Sequence, residues 1–117
     1  MTYHRLCHLE FEVTDMDRAR HFYQGLFGWN FRAFTDSMVV FGIGDEHLGG
    51  LQKVDHVKPG SSPSVWFNVE SLEASVARVV ELGGSTPHEK HPVPGVGWSV
   101  AVLDPDGNPV GLVEFAS

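Results

Sequence analysis

The side chains able to do chemistry collect on one parity of two short alternating stretches. His8, Glu10 and Glu12 interleave with Leu9, Phe11 and Val13, while Ser64, Trp66 and Asn68 interleave with Val65, Phe67 and Val69. Period-2 alternation predicts strands, whose successive residues point to opposite faces. One face of each is then aliphatic. The other carries groups that can move a proton or donate an oxygen (the Glu10 carboxylate) or stack on a flat ligand (the Trp66 indole). Glu12 and Asn68, near the strand ends, are expected to face solvent. His88 and His91 stand three apart, a spacing that metal ligands use, but the adjoining prolines make them a surface loop. His21 falls on the polar side of a helix, and His4, His47 and His56 read as surface or turn residues. Cys7 shares the parity of Leu9 and Phe11, so its expected role is packing.

These stretches open a unit that the chain uses twice. Residues 8–28 and 64–84 align without a gap: Phe11 on Phe67, Val13 on Val69, Leu26 on Leu82, Gly28 on Gly84. After each strand comes an amphipathic helix, with Met16, Ala19, Phe22 and Leu26 as one apolar stripe and Leu72, Val76, Val79 and Leu82 as the other. Asp15 and Ser71 are N-caps, with Asp17 and Glu73 favourably placed in the first turn. Gly28 and the Gly83-Gly84 pair end the helices.

Strands are expected next at 29–35 and 38–43 and, after a turn at Gly44-Asp45-Glu46, from His47 to Val54. In the second half they are expected at 85–89, 99–103 and 110–115, with an irregular loop over 90–97. Pro105 and Gly107 shape the turn at 104–108. Residues 55–63 (DHVKPGSSP) read as a linker. The fold class is therefore α+β: two tandem βαβββ modules, 1–57 and 58–117, in one domain spanning 1–117. Closing the two half-sheets on one another gives a cupped mixed sheet with the helices outside. Its lining is the non-aliphatic parity, Gln52 included, and a cavity there is the default binding site.

A chain of 117 residues is one compact unit, and 42% hydrophobic content marks a folded protein. The formal charge of −7 argues against a nucleic-acid or anionic-membrane partner. The lone Cys7 forms no internal disulfide. No signal-like leader or membrane-length apolar run is visible, so a cytoplasmic protein is expected.

Residues 8–28, with Phe22-Tyr23 and Leu26-Phe27-Gly28-Trp29, and residues 94–112 (PGVGWSVAVLDPDGNPVGL) resemble the vicinal oxygen chelate superfamily. That group includes glyoxalase I, extradiol dioxygenases, fosfomycin-resistance enzymes and bleomycin-binding resistance proteins. The terminal segment is most similar to a branch of predicted enzymes related to lactoylglutathione lyase. The resemblance implies a homodimer and, in the metal enzymes, a ligand on the first and last strand of each half. The usual set is His, then Glu, Gln or His, then His or Gln, then Glu. Position by position, the first matches His8, the second falls at Gly50 or beside it, the third at Ser64 and the fourth at Gly111.

Glycine donates nothing, and a serine hydroxyl is a poor ligand for a borderline cation. One ligand of four survives where catalytic sites supply about three. The expectation is no cofactor and no tight metal, although a divalent ion stays open with Glu10 as a stand-in oxygen donor. Gly50 and Gly111 admit a ligand to the backbone or mark a strand bulge. Trp66 forms a pocket wall or fills the core, and Trp98 is a lid or packs at an edge.

Two functions from different classes follow. One is a small-molecule binder, resistance-like, using His8, Glu10, Gly50, Gln52, Ser64, Trp66, Trp98 and Gly111. The other is a divalent-metal lyase, isomerase or dioxygenase in which Glu10 moves protons. The ligand count favours the binder. Whether the protein is an enzyme is not decided by the sequence.

Overall fold

The computed structural model describes residues 2–58 and 60–116. Its elements run β1 (Leu6–Val13), α1 (Met16–Phe27), β2 (Asn30–Ala33), β3 (Met38–Ile43), β4 (Glu46–Lys53), β5 (Ser64–Asn68), α2 (Leu72–Glu81), β6 (His91–Val93), β7 (Gly97–Leu103) and β8 (Pro109–Phe115). They form two βαβββ modules, as the repeat predicts. In the first the strand order is β2-β3-β4-β1, and in the second β5-β8-β7-β6. β1 pairs parallel with β4 and β5 parallel with β8, while the other pairs within each module are antiparallel. A parallel pair needs a crossover, and the helix of each module lies within that connection. No helix among the described residues is long and apolar enough to cross a membrane.

The helix ends follow their residues. Asp15 Oδ1 accepts from Arg18 N at 3.0 Å, and Ser71 Oγ accepts from Ala74 N at 3.1 Å. Gly28 closes α1 in the left-handed conformation (φ 71°), and its N–H reaches Gln24 O. The apolar stripe of α1 is rotated from the expected one. Phe22 and Leu26 are 58% and 59% exposed, and the contact with the sheet runs through Tyr23. Its ring stacks on Phe11 and on Trp29, at centroid distances of 5.1 and 5.6 Å. Met16, Ala19 and Tyr23 obey the same helical spacing, so periodicity alone did not choose between the two stripes. In α2 the stripe holds for Leu72, Val76 and Val79, which pack on Val69, Val100, Val102 and Leu112. Leu82 falls beyond α2 and is exposed. Leu9, Phe11, Val65 and Phe67 are half-buried.

Other expectations are corrected. Residues 85–89 form only a single bridge, Ser85 to Leu103. Conversely, the Pro-rich loop contains β6, because an edge strand tolerates a proline whose missing N–H would face away from the sheet. Asn68 is buried, not solvent-facing. Its Oδ1 accepts from Arg5 N at 2.9 Å, and its Nδ2 donates to Thr2 O at 2.8 Å. Glu12 is half-buried, accepting from Ser61 Oγ at 2.5 Å. The N-terminal residues up to Leu6 consequently group with residue 65 onward, and residues 7–64 form the other compact unit.

Candidate functional site

In module 1 the register sets Arg32 beside Val40, Val40 beside Gly50, and Gly50 beside Glu10. Directly paired residues project to one face, so these four form a row across the sheet. The opposite face carries Phe11 and Phe41, which stack at 6.3 Å and pack with Tyr23 and Trp29. Aromatic burial thus fixes one side of the sheet against α1 and leaves the polar parity on the other.

On that polar face three titratable side chains join. His8 Nε2 lies 3.1 Å from Glu10 Oε1, and His8 Nδ1 lies 2.9 Å from His47 Nε2. A carboxylate only accepts, so His8 Nε2 donates to it, and one proton lies between His8 Nδ1 and His47 Nε2. The two imidazole planes are 12° apart with centroids 5.1 Å apart. Parallel rings in face-to-face contact could not bring two nitrogens within 2.9 Å. The rings therefore meet edge to edge, with a nitrogen of each directed at the other. Burial, then His8, then Arg32 push His47 below the ordinary histidine range and favour its neutral form.

His47 was read from sequence as a surface or turn residue, and its outer edge is indeed exposed. Strict alternation from Gly50 and Gln52 puts it on the wrong face. A register shift between Phe41 and Gly42 corrects this, pairing Gly42 with His47 and Phe41 with Gly49. Such a bulge re-aims the following side chain. The signal was Gly42: a Cβ there would run into the Glu46 carbonyl oxygen, so only glycine lets the turn close so tightly.

The remaining sequence candidates divide between the modules. Gly50 is buried beneath the imidazole, and a Cβ on it would come within 3.3 Å of His8 Cε1 and 3.2 Å of Met38 Sδ. Gln52 donates to Ser37 Oγ at 3.1 Å. Ser64 begins β5, half-buried. In module 2, Trp66 pairs with Gly111 and Gly111 with Ala101. The indole lies across Gly111 so closely that any Cβ there would overlap the ring. Trp98 is not brought to this row. It pairs with Glu114, whose carboxylate accepts from Leu72 N at 2.7 Å, so it stands on the α2 side of its sheet. Its ring lies under the Lys90 ammonium at 4.5 Å. Cys7 is half-buried and burial pushes its thiol pKa up, in keeping with a packing role.

Comparison with known proteins adds a lineage to this geometry. The sequence model of the Glyoxalase/Bleomycin resistance protein/Dioxygenase superfamily matches residues 5–112. A probable lactoylglutathione lyase from Vibrio cholerae is 25% identical, over 97% of this chain and 93% of its own length. An anthracycline biosynthesis protein from Streptomyces peucetius is 35% identical over 88% of this chain but 39% of its own. In fold the chain is similar to a homoprotocatechuate 2,3-dioxygenase mutant from Brevibacterium fuscum, with a TM-score of 0.73 and 23% identity. That alignment covers 98% of this chain and 33% of the dioxygenase. The chain thus spans nearly all of the first relative and well under half of the other two.

Proposed function

The chain belongs to the glyoxalase/bleomycin resistance protein/dioxygenase superfamily, and from that premise we propose that it binds a small, partly apolar molecule without a tight catalytic metal. The observation that carries this reading is the indole of Trp66 lying over Gly111. A position where the resemblance implies a carboxylate ligand is instead a flat aromatic platform, flanked by Ala101. Such a surface suits a ring. The Streptomyces relative is named for anthracycline biosynthesis, and anthracyclines are flat polyaromatic molecules.

The residues do not fit the divalent metal that the superfamily implies. Ligands must turn their lone pairs toward a common centre. His8 instead directs one nitrogen at Glu10 and the other at His47. Gly50 and Gly111 have no donor, and no cluster of three His, Cys, Asp or Glu among the described residues is arranged to hold an ion. The metal-dependent lyase, isomerase or dioxygenase remains the second reading. Its support is the similarity to the Vibrio lyase and the presence of His8, Glu10 and His47 on one face.

Metal analysis of protein purified without an affinity tag separates the two. The binder reading expects substoichiometric Ni²⁺, Zn²⁺ or Mn²⁺, and weak added-metal binding that His8→Ala barely alters. Aromatic ligands should quench tryptophan fluorescence, and Trp66→Ala should weaken their binding by about 1 kcal/mol or more. One tight metal per chain, lost on changing His8 or Glu10, would establish the metalloenzyme instead. We further infer a homodimer, which the resemblance implies and which the exposure of Phe22, Leu26 and Phe27 on α1 supports. A monomer by light scattering at tens of micromolar (about the usual assay range) would count against it.

A further inference from the structure

We infer that α1 of one copy lies antiparallel on α1 of a second copy, crossing at Phe22, so that Arg18, Phe22 and Leu26 form a two-fold interface. This deepens the homodimer reading and rests on it.

The packing of α1 supplies the first argument. None of its twelve residues is buried, whereas the shorter α2 buries Leu72. Its own sheet half-buries only Met16, Ala19 and Tyr23. A helix of this length is marginal in water and draws its stability from covering an apolar face. Phe22 and Leu26, one turn apart and each more than half exposed, make a continuous strip outside that contact. Gly25 lies beside the strip, inside the helix, where glycine is a poor former. A Cβ on it would meet nothing within 4 Å, so the chain's own packing does not call for glycine there. A second backbone brought close does.

Charge and symmetry select the occupant. α1 has Asp17 in its first turn and no basic residue in its last, so its C-terminal carbonyls face no cation of their own. The strip supplies one from the other copy. Arg18 precedes Phe22 by four residues and Leu26 follows it by four. In an antiparallel pair centred on Phe22, each Arg18 therefore comes beside Leu26 and the last turn of the opposite helix. The two Arg18 side chains stay about 12 Å apart along the axis, and Asp17 and Gln24 fall on the far side of each helix. Arg18 is available for this. Its Nη2 donates to Thr14 Oγ1 at 3.0 Å, and no ion pair among the described residues uses it. In a chain of net charge −7, two copies repel over most of their surface. A strip whose only charge is a cation directed at carbonyls is where they meet. The same residues then serve both sides, as an isologous contact demands.

The test is cysteine trapping. Helices packed at about 8–10 Å bring opposed Cα atoms to about 4–6 Å, within reach of a disulfide. Under mild oxidation Phe22→Cys should give dimers in which mass spectrometry maps a link from residue 22 to itself. Gln24→Cys should give no link through residue 24. Phe22→Asp should raise the dimer dissociation constant at least about tenfold, because it places two carboxylates at the contact. Arg18→Glu should raise it about threefold or more, and Arg18→Lys by less than about twofold. Residue 22 touches no core, and trapping stands as a second measurement if Phe22→Asp fails to fold. If wild type is dimeric but Phe22→Cys does not link to itself, or folded Phe22→Asp dimerises like wild type, this inference falls while the homodimer reading stands. If wild type is a monomer under the same conditions, both fall.

Discussion

The two modules descend from one pattern yet use their equivalent positions in opposite ways. Glu10 and Trp66 correspond, and each pairs across the sheet with a glycine, Gly50 or Gly111. In module 1 the carboxylate turns along its own strand to His8, and the glycine is covered by the edge of an imidazole. In module 2 the indole lies directly on the glycine. The packing behind each face differs too. Module 1 is held by aromatic stacking, with Phe41 only 2% exposed and 4.3 Å from Trp29, whereas module 2 has an aliphatic cluster around Leu72. One duplicated frame thus presents a polar hydrogen-bonded face and an apolar platform. What distinguishes them is side-chain identity on a shared register.

Truncating the cores should break this comparison most strongly. Phe41→Ala is expected to cost about 4 kcal/mol in denaturant unfolding and Leu72→Ala about 3 kcal/mol. Equal loss on replacing the exposed Phe22 would show that α1 packs differently from the arrangement described. The glycines sharpen it next. Gly111→Ala must displace an indole and should cost about 2 kcal/mol, while Gly50→Ala needs only small shifts of Met38 and His8 and should stay within about 1 kcal/mol of wild type. Similar costs for the two would mean that Trp66 does not lie on Gly111.

The smallest effect is pH-dependent. The folded pKa of His47 lies below the ordinary histidine value of 6.5, so the unfolded chain takes up more protons as the solution is acidified. Stability from this group is fully present above that value and declines as pH falls below it. Wild type should therefore lose slightly more stability than His47→Gln between about pH 7.5 and 5.5, measured by urea unfolding. A steeper loss in the variant would contradict the sign.

Much of this was legible because alternation, caps and glycine stops are local. Met38–Ile43 was readable as β3, and Asp15, Ser71 and Gly28 as helix ends. What escaped depended on geometry that parity does not encode. His47 reached the polar face only through a bulge, so counting by twos excluded it. Tyr23 and Phe22 are neighbours on the same helix, and which one packs is decided by Phe11 and Trp29 across the gap. Trp98 carried two readings in sequence, and its pairing with Glu114 puts it on the side of Leu72 and Val102. Asn68 looked solvent-facing because its partners, Thr2 and Arg5, are distant in sequence.

That last pairing has a consequence for synthesis and for handling the protein. Thr2, His4 and Arg5 emerge from the ribosome before module 1, yet among the described residues the hydrogen bonds they make are all to Asn68. They must wait, unpaired, while the whole of module 1 is translated. Elongation therefore orders the assembly: the first module can complete itself on the nascent chain, and the second reaches back for its opening residues afterwards. A fusion partner placed against Thr2 would load module 2, not the module beside it in sequence. Trimming these residues would strand a buried amide at a cost of about 1–3 kcal/mol.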